Sequence, residues 1–295
     1  MKNKIAILVI SLIAILTPLL SVSAATAAVK VSLPWTYTFG SSGTLNQTVS
    51  ADTSGSAYWW VANGGQLLVS NGVGKTMQGD ATSANPWYTI YAKSLAVTSD
   101  NGKHPQNTFA ALLRTPTLDT DQSIAVQINK DNLANTANRK PYNGIHLISR
   151  WQNDGNYYFA GLRADGHAVI KKKVGNAYYT LAEKSAFPGT YNSTTNPNLL
   201  PKNTWMNVRM ITSTDASGSV HVQLYLNQTL MLDTTDNGAR GATIKTEGLT
   251  GIRSDFMDML MDNYKLSVPA INKEIISYPH KRFVYGGKYS LPPRI

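Results

Sequence analysis

The sequence predicts an all-β fold, a sandwich or barrel of antiparallel strands, on three observations. Alternating apolar and polar runs recur every eight to twelve residues or so, the spacing of sandwich and barrel strands. Asp-Gly turns separate several of these runs (Asp154-Gly155, Asp165-Gly166), the sequence signature of tight hairpins. No segment of the mature chain shows a convincing amphipathic helical period.

Taken in order, the chain opens on a leader. Lys2 and Lys4 precede an apolar run from Ile5 to Leu20, and Val22-Ser23-Ala24 fits a small-x-small cleavage site. Residues 1–24 are therefore read as a secretory signal, which is short for a membrane anchor. The expected location is extracellular or in the cell envelope, with no membrane span once the leader is removed. About 270 residues remain, enough to bury a core without crosslinks. The chain has no cysteine, which excludes disulfides and thiol chemistry.

Strong alternation marks strands at 123–128 and 220–226. Residues 143–151, 156–163, 168–174 and 177–182 read as four consecutive strands of an antiparallel meander. Two polar inserts, 131–141 and 188–201, are expected as loops at the ends or rims, where function tends to be placed. After Ser267 prolines and basic and aromatic residues take over. The expected organisation is a signal at 1–24, one domain at 25–268 and a basic tail at 269–295. The formal charge is +10; Lys2 and Lys4 carry two of these charges and the tail four. A basic exported protein suits an anionic partner such as an acidic polysaccharide, and nucleic acid is not expected outside the cell.

Four strings then occur in a fixed order: Tyr58 to Leu67 (YWWVANGGQL), Trp151 to Leu162 (WQNDGNYYFAGL), Asn203 to Arg209 leading to Leu224-Tyr225-Leu226-Asn227, and Gly251-Ile252-Arg253-Ser254 with Met261-Asp262-Asn263-Tyr264. Over Trp35 to Val268 the chain resembles the concanavalin-A-like (laminin-G-like) jelly-roll β-sandwich of two antiparallel sheets. Such modules occur in secreted bacterial polysaccharide-degrading proteins and in the 3-keto-glycoside hydrolase group. The resemblance implies a sugar groove on the outer face of one sheet. It also implies that Asp262 stands where many such modules hold a structural Ca²⁺, an ion that takes oxygen ligands; no other cofactor is required. Within these strings, Trp205 is expected to cover an end of the core. Phe256, Leu260, Tyr264 and Leu266 are expected on a central strand packed on both sides, and Asn227 at a left-handed corner.

Parity along the meander gives the candidate site. With Ile145, Leu147 and Trp151 inward, His146 and Arg150 face out. With Tyr158, Ala160 and Leu162 inward, Tyr157, Phe159 and Arg163 face out. With Ala168 and Ile170 inward, His167, Val169, Lys171 and Lys173 face out. Neighbouring strands merge these sets into one basic, aromatic surface, with Gln127 and Arg209 as extensions that depend on strand order. Rings stack on sugar faces and cations pair with carboxylates. Phe159, His167, Lys171, Lys173 and Gln127 are the candidate binding residues for an acidic polysaccharide.

The available chemistry is narrow. Acid-pair glycoside hydrolysis needs two carboxylates across the bond. The glutamates are Glu183, Glu247 and Glu274, and none has an acidic partner two positions away on a groove strand. A polysaccharide lyase acting by β-elimination fits better, with His146 and Tyr157 moving protons while Arg150 and Arg163 neutralise a uronate. A third reading is a structural envelope or matrix protein docking through its tail. Gly72-Val73-Gly74-Lys75-Thr76 lacks phosphate-loop spacing and reads as a turn. The five histidines (His104, His146, His167, His221, His280) show no metal-ligand spacing.

Overall fold

The computed structural model describes residues 24–131 and 136–270. All of the leader except Ala24, and the tail from 271 onward, lie outside the described residues. The described chain forms two antiparallel sheets packed face to face in a jelly-roll sandwich. Strand numbers follow the chain. One sheet has nine strands, ordered β14 (Thr229–Asp236), β13 (Val220–Leu226), β12 (Met206–Thr214), β7 (Thr120–Asp131), β16 (Met257–Ser267), β5 (Val73–Lys75), β4 (Gln66–Ser70) and β2 (Gly43–Asn46). β1 (Trp35–Tyr37) also pairs with β16, at residues 264–266. The other sheet has seven, ordered β11 (Ala177–Ser185), β10 (His167–Val174), β9 (Asn156–Arg163), β8 (Gly144–Asn153), β15 (Gly248–Ser254), β6 (Phe109–Thr117) and β3 (Trp59–Asn63). The predicted meander is the run β8–β9–β10–β11.

The core follows from the two-residue period of each strand. Ile124, Val126 and Ile128 of β7 and Val220, Val222 and Leu224 of β13 meet Ile145, Leu147, Tyr158, Ala160, Leu162, Ala168 and Ile170 from the facing sheet. Fully burying each such aliphatic side chain contributes roughly 1.5–3 kcal/mol.

Two backbone irregularities break the period. In β16, Met257, Met259 and Met261 point inward; Asn263 then takes φ 53°, the register shifts, and Tyr264 and Leu266 point inward instead. The core face of this central strand is therefore a methionine run followed by two even positions, and Leu260 lies off it. In β8, Arg150 takes φ 52° and the pairing with β9 shifts after Ser149. Arg150 thus turns inward, and Trp151 packs outward against Trp60, with ring centroids 5.3 Å apart. This reverses the expected positions of both residues.

A helix that periodicity did not reveal, α1 (Pro86–Leu95), sits beside the sandwich. Asn85 caps it by accepting from the Trp87 N–H at 3.0 Å, and Pro86 starts it, where a missing N–H costs nothing. Its two buried anchors, Trp87 and Tyr91, pack on Met77 and Ala81, with Tyr88 and Ile90 half-buried beside them. Ten residues with two large anchors leave too little pattern to detect. Trp205 is exposed, so it does not cover the core as expected. Asn227 takes φ 48°, the left-handed corner anticipated for it.

Candidate functional site

The outer face of the seven-stranded sheet carries a cleft of ≈ 620 Å³. Strand pairing aligns its floor. Arg253 of β15 pairs with His146 of β8, which pairs with Gly161 of β9, which pairs with Val169 of β10. In the next row Ile148, Phe159 and Lys171 are paired in turn. Gly161 is required here because a Cβ would meet the Ile145 carbonyl oxygen at 2.1 Å. No side chain therefore stands between His146 and Val169 on this face. Walls come from Thr98, Asn107 and Thr108 after α1, from Asn138 and Lys140 of the first polar insert and Tyr142 just after it, from Tyr178 of β11, and from Asp255 and Phe256.

The charges are organised around Arg253. Its guanidinium donates to Asp255 Oδ1 at 2.9 Å and to the Tyr157 hydroxyl at 2.5 Å, and lies 5.7 Å from the Phe159 ring. Burial works against its charge, but Asp255, Tyr157 and Tyr178 outweigh burial and hold it protonated. Burial drives the Tyr157 phenol far up, and Arg253 offsets part of that. Burial and then the charges of Arg253, Lys171 and Arg163 push His146 well below the usual histidine value, so its imidazole is neutral at pH 7. Its Nδ1 is buried without a partner, and its ring meets Phe159 edge to face. Arg163 is taken up by Asp165 and by Glu183, the latter at 3.0 Å. Burial and neighbouring Arg163 also lower Lys171, which makes no ion pair among the described residues.

The structure brings four of the expected residues into the cleft: His146, Phe159, Arg163 and Lys171. Tyr157 lies on the same face but is buried behind Arg253. Lys173 flanks Tyr178, its Nζ 5.0 Å from the ring centroid, and His167 sits beyond Arg163 with Nδ1 3.2 Å from Asp165. Two expectations are corrected. Arg150 is fully buried and donates to the Leu118 and Ile244 carbonyls, to Asp119 and to Thr214 Oγ1, so it cannot reach a substrate in the cleft. Gln127 and Arg209 belong to β7 and β12 of the opposite sheet, and Arg209 is paired with Asp121. Asp262 also lies on that opposite sheet and accepts from the N–H and side-chain amide of Asn263. Among the described residues no group of three or more His, Cys, Asp or Glu could hold a metal.

Arg253, Asp255 and Tyr178 were not anticipated. The signal was present for Arg253: in Gly251-Ile252-Arg253-Ser254, an inward Ile252 sets Arg253 outward.

No protein-family model matches the chain, and no curated protein matches it in sequence. Solved structures do. A carbohydrate-binding module, CBM66, from Bacillus subtilis matches at a TM-score of 0.46 and 13% identity, over 71% of this chain and 94% of that one. A protein of unknown function with a galectin-like fold, also from Bacillus subtilis, matches at 0.45 and 11%, over 77% and 97%. The exoplasmic/lumenal domain of VIP36, in a Ca²⁺/Man3GlcNAc-bound form, matches at 0.43 and 10%, over 77% and 89%. Similarity at this level leaves the functional argument to the chain's own residues. Among the described residues no helix is long and apolar enough to cross a membrane.

Proposed function

We propose that this chain is an exported protein that binds a saccharide, preferentially an acidic polysaccharide, in the cleft over the seven-stranded sheet. The observation that carries the reading is the state of the groups facing the cleft. Tyr142 and Tyr178 are 57% and 50% exposed there, available as stacking surfaces, whereas Phe159 at 4% forms the floor. Beside them Lys171 is a cation with no carboxylate of its own, while Arg253 and Arg163 are already paired. A sugar carboxylate completes that unpaired charge.

The test is retention of the full chain on immobilised alginate, glucuronan and pectin against neutral polymers. Lys171→Ala is expected to weaken acidic-polymer binding roughly tenfold or more, the scale of a lost charge-assisted hydrogen bond. Equal binding to neutral polymers, or unchanged binding by Lys171→Ala, overturns the reading.

One observation favours a second reading, β-elimination, through a different residue set from the one expected. Burial opposes ionisation of the Tyr178 phenol, yet Arg253, the hydrogen bond with Tyr157 and then Lys173 outweigh it and hold the phenol below the ordinary tyrosine value. Tyr178 would take the proton α to the carboxylate while Lys171 neutralises the acid; the freed electron pair forms the double bond to the β carbon, the glycosidic C–O bond there breaks, and the leaving oxygen takes the proton back from the Tyr178 phenol. Release of an unsaturated uronide, abolished in Tyr178→Phe, would support elimination; no product with wild type leaves binding alone. Acid-pair hydrolysis has little to work with, since Asp255 is the cleft's carboxylate and is held by Arg253.

A further inference from the structure

The cleft differs in chemistry from one end to the other. Its floor crosses β15, β8, β9 and β10 in that order, three strand spacings or roughly 14 Å between the outer backbones. That is longer than a single sugar ring, so neighbouring residues of a bound chain meet different ends. Over β9, β10 and β11 the lining is cationic and aromatic. Lys171 pairs in register with Phe159, its Nζ lies 5.8 Å from the Tyr178 ring centroid, and the Phe159 and Tyr178 rings are 6.0 Å apart. A sugar carboxylate placed here meets a cation that makes no ion pair among the described residues, with the Tyr178 ring beside it.

The β15 end is neutral. The Asp255 N–H donates to the Gly144 carbonyl at 2.9 Å and the Phe256 N–H to the Gln106 carbonyl at 3.3 Å, which holds residues 143–144 and 106–108 against the end of β15. Thr108 precedes Phe109, which pairs with Ser254. Asn143 donates to the Asn138 carbonyl at 3.0 Å and brings that residue to the same end. These segments line the cleft with Asn107, Thr108, Asn138 and Asn143, amides and a hydroxyl. The charges beside them cancel, because Asp255 accepts from Arg253 Nη2 at 2.9 Å and from Nε at 3.3 Å. Asp255 is only 8% exposed, so salt screens it little. Neutral sugar hydroxyls can donate to its carboxylate. A second sugar carboxylate is an acceptor facing an acceptor, next to a cation whose charge is already matched. Two further cations line the cleft. Arg163 is held by Asp165 and Glu183, and Lys140 is exposed at the rim, where water and salt screen it.

We propose that the cleft selects a saccharide in which an acidic sugar is joined to a neutral one, as in a polymer of alternating uronate and neutral residues, over a polymer in which every residue is a uronate. Lys171 takes the acidic sugar at the β10 end, and Asp255 disfavours a second acid at the β15 end. Asp255 is thereby the residue that sets the selection. This preference rests on the saccharide reading of the cleft and narrows it to one class of acidic polymer.

The experiment titrates the full chain, at one pH and salt concentration, with tetrasaccharides of two polymers. In hyaluronan glucuronate alternates with a neutral N-acetylated sugar; in glucuronan every residue is glucuronate. The hyaluronan fragment is expected to bind roughly tenfold tighter or more although it carries half the carboxylates, the scale of one charged group left without a partner. Two variants test the cause. Asp255→Asn keeps an acceptor for Arg253 and removes the anion. Thr108→Lys adds a cation to the same end at a half-exposed position. Each is expected to strengthen glucuronan binding and narrow the ratio to roughly threefold or less, with an unfolding curve close to that of wild type. Equal or tighter binding of the glucuronan fragment by wild type overturns the selection. A ratio that neither variant moves also overturns it, because the preference then comes from the linkage or the acetyl group and not from Asp255. If wild type binds neither the fragments nor the parent polymers, the saccharide reading of the cleft itself fails and the selection falls with it.

Discussion

Asp236→Ala is expected to destabilise the fold by roughly 3–5 kcal/mol, the cost of stranding a buried charge. Lys172 is fully buried between the sheets, its Nζ 2.9 and 2.7 Å from the two oxygens of Asp236. The ammonium also donates to the Gly241 carbonyl at 2.6 Å, and the Tyr158 hydroxyl donates to Asp236 Oδ2 at 2.6 Å. Removing the carboxylate leaves the buried ammonium without a counter-charge, with only backbone carbonyls to accept from it, and the phenol proton without its acceptor. Urea unfolding at pH 7 measures the loss. The double variant Lys172→Met with Asp236→Leu is expected to recover most of it, because an apolar pair of similar volume needs no desolvated charge. A loss below about 1 kcal/mol in Asp236→Ala, the range of exposed ion pairs, would show that the pair is not dry in solution.

Arg150→Ala is the second large effect, and it separates scaffold from site. The guanidinium bridges β8 to Leu118, Asp119, Thr214 and Ile244 through four hydrogen bonds of 2.7–2.9 Å. Burial presses on its charge, and Asp119 sustains it. Truncation takes the donor from two carbonyls and a hydroxyl and the counter-charge from Asp119, which keeps the Thr214 N–H, a loss on the order of 3 kcal/mol. Affinity of the folded fraction for polysaccharide is expected to be unchanged. Lys171→Ala should show the reverse: weaker binding with a near-wild-type unfolding curve. An Arg150→Ala protein that stays stable but stops binding would return Arg150 to the site.

Arg150 also shows where sequence reasoning stops. Parity correctly places His146, Phe159, Arg163 and Lys171 on one face because a regular strand alternates without exception. One residue at φ 52° moves Arg150 from that face into the interior and brings Trp151 out. Nothing in Ser149-Arg150-Trp151 announces the bulge, since arginine is not a residue that favours positive φ. The same limit explains Asn263 in β16, although asparagine tolerates that conformation and offers a weak cue.

The sequence by itself determined the class of fold, the four-strand meander, most of the inward set, the basic aromatic face and the shortage of paired acids. Each is a local property, set by two-residue periodicity, turn chemistry or composition. Which strands outside the meander lie side by side follows only from the three-dimensional fold. Strand order sends Gln127 to the far sheet, brings Arg253 beside His146, and folds the loop after α1 against residues 79–81 so that His104 meets two aspartates. Apart from His104 and Asp100, four residues apart in one loop, these partners lie 24 to 107 residues apart. Pairing over such distances is set by how the whole set of apolar faces can be buried at once, which no local pattern encodes.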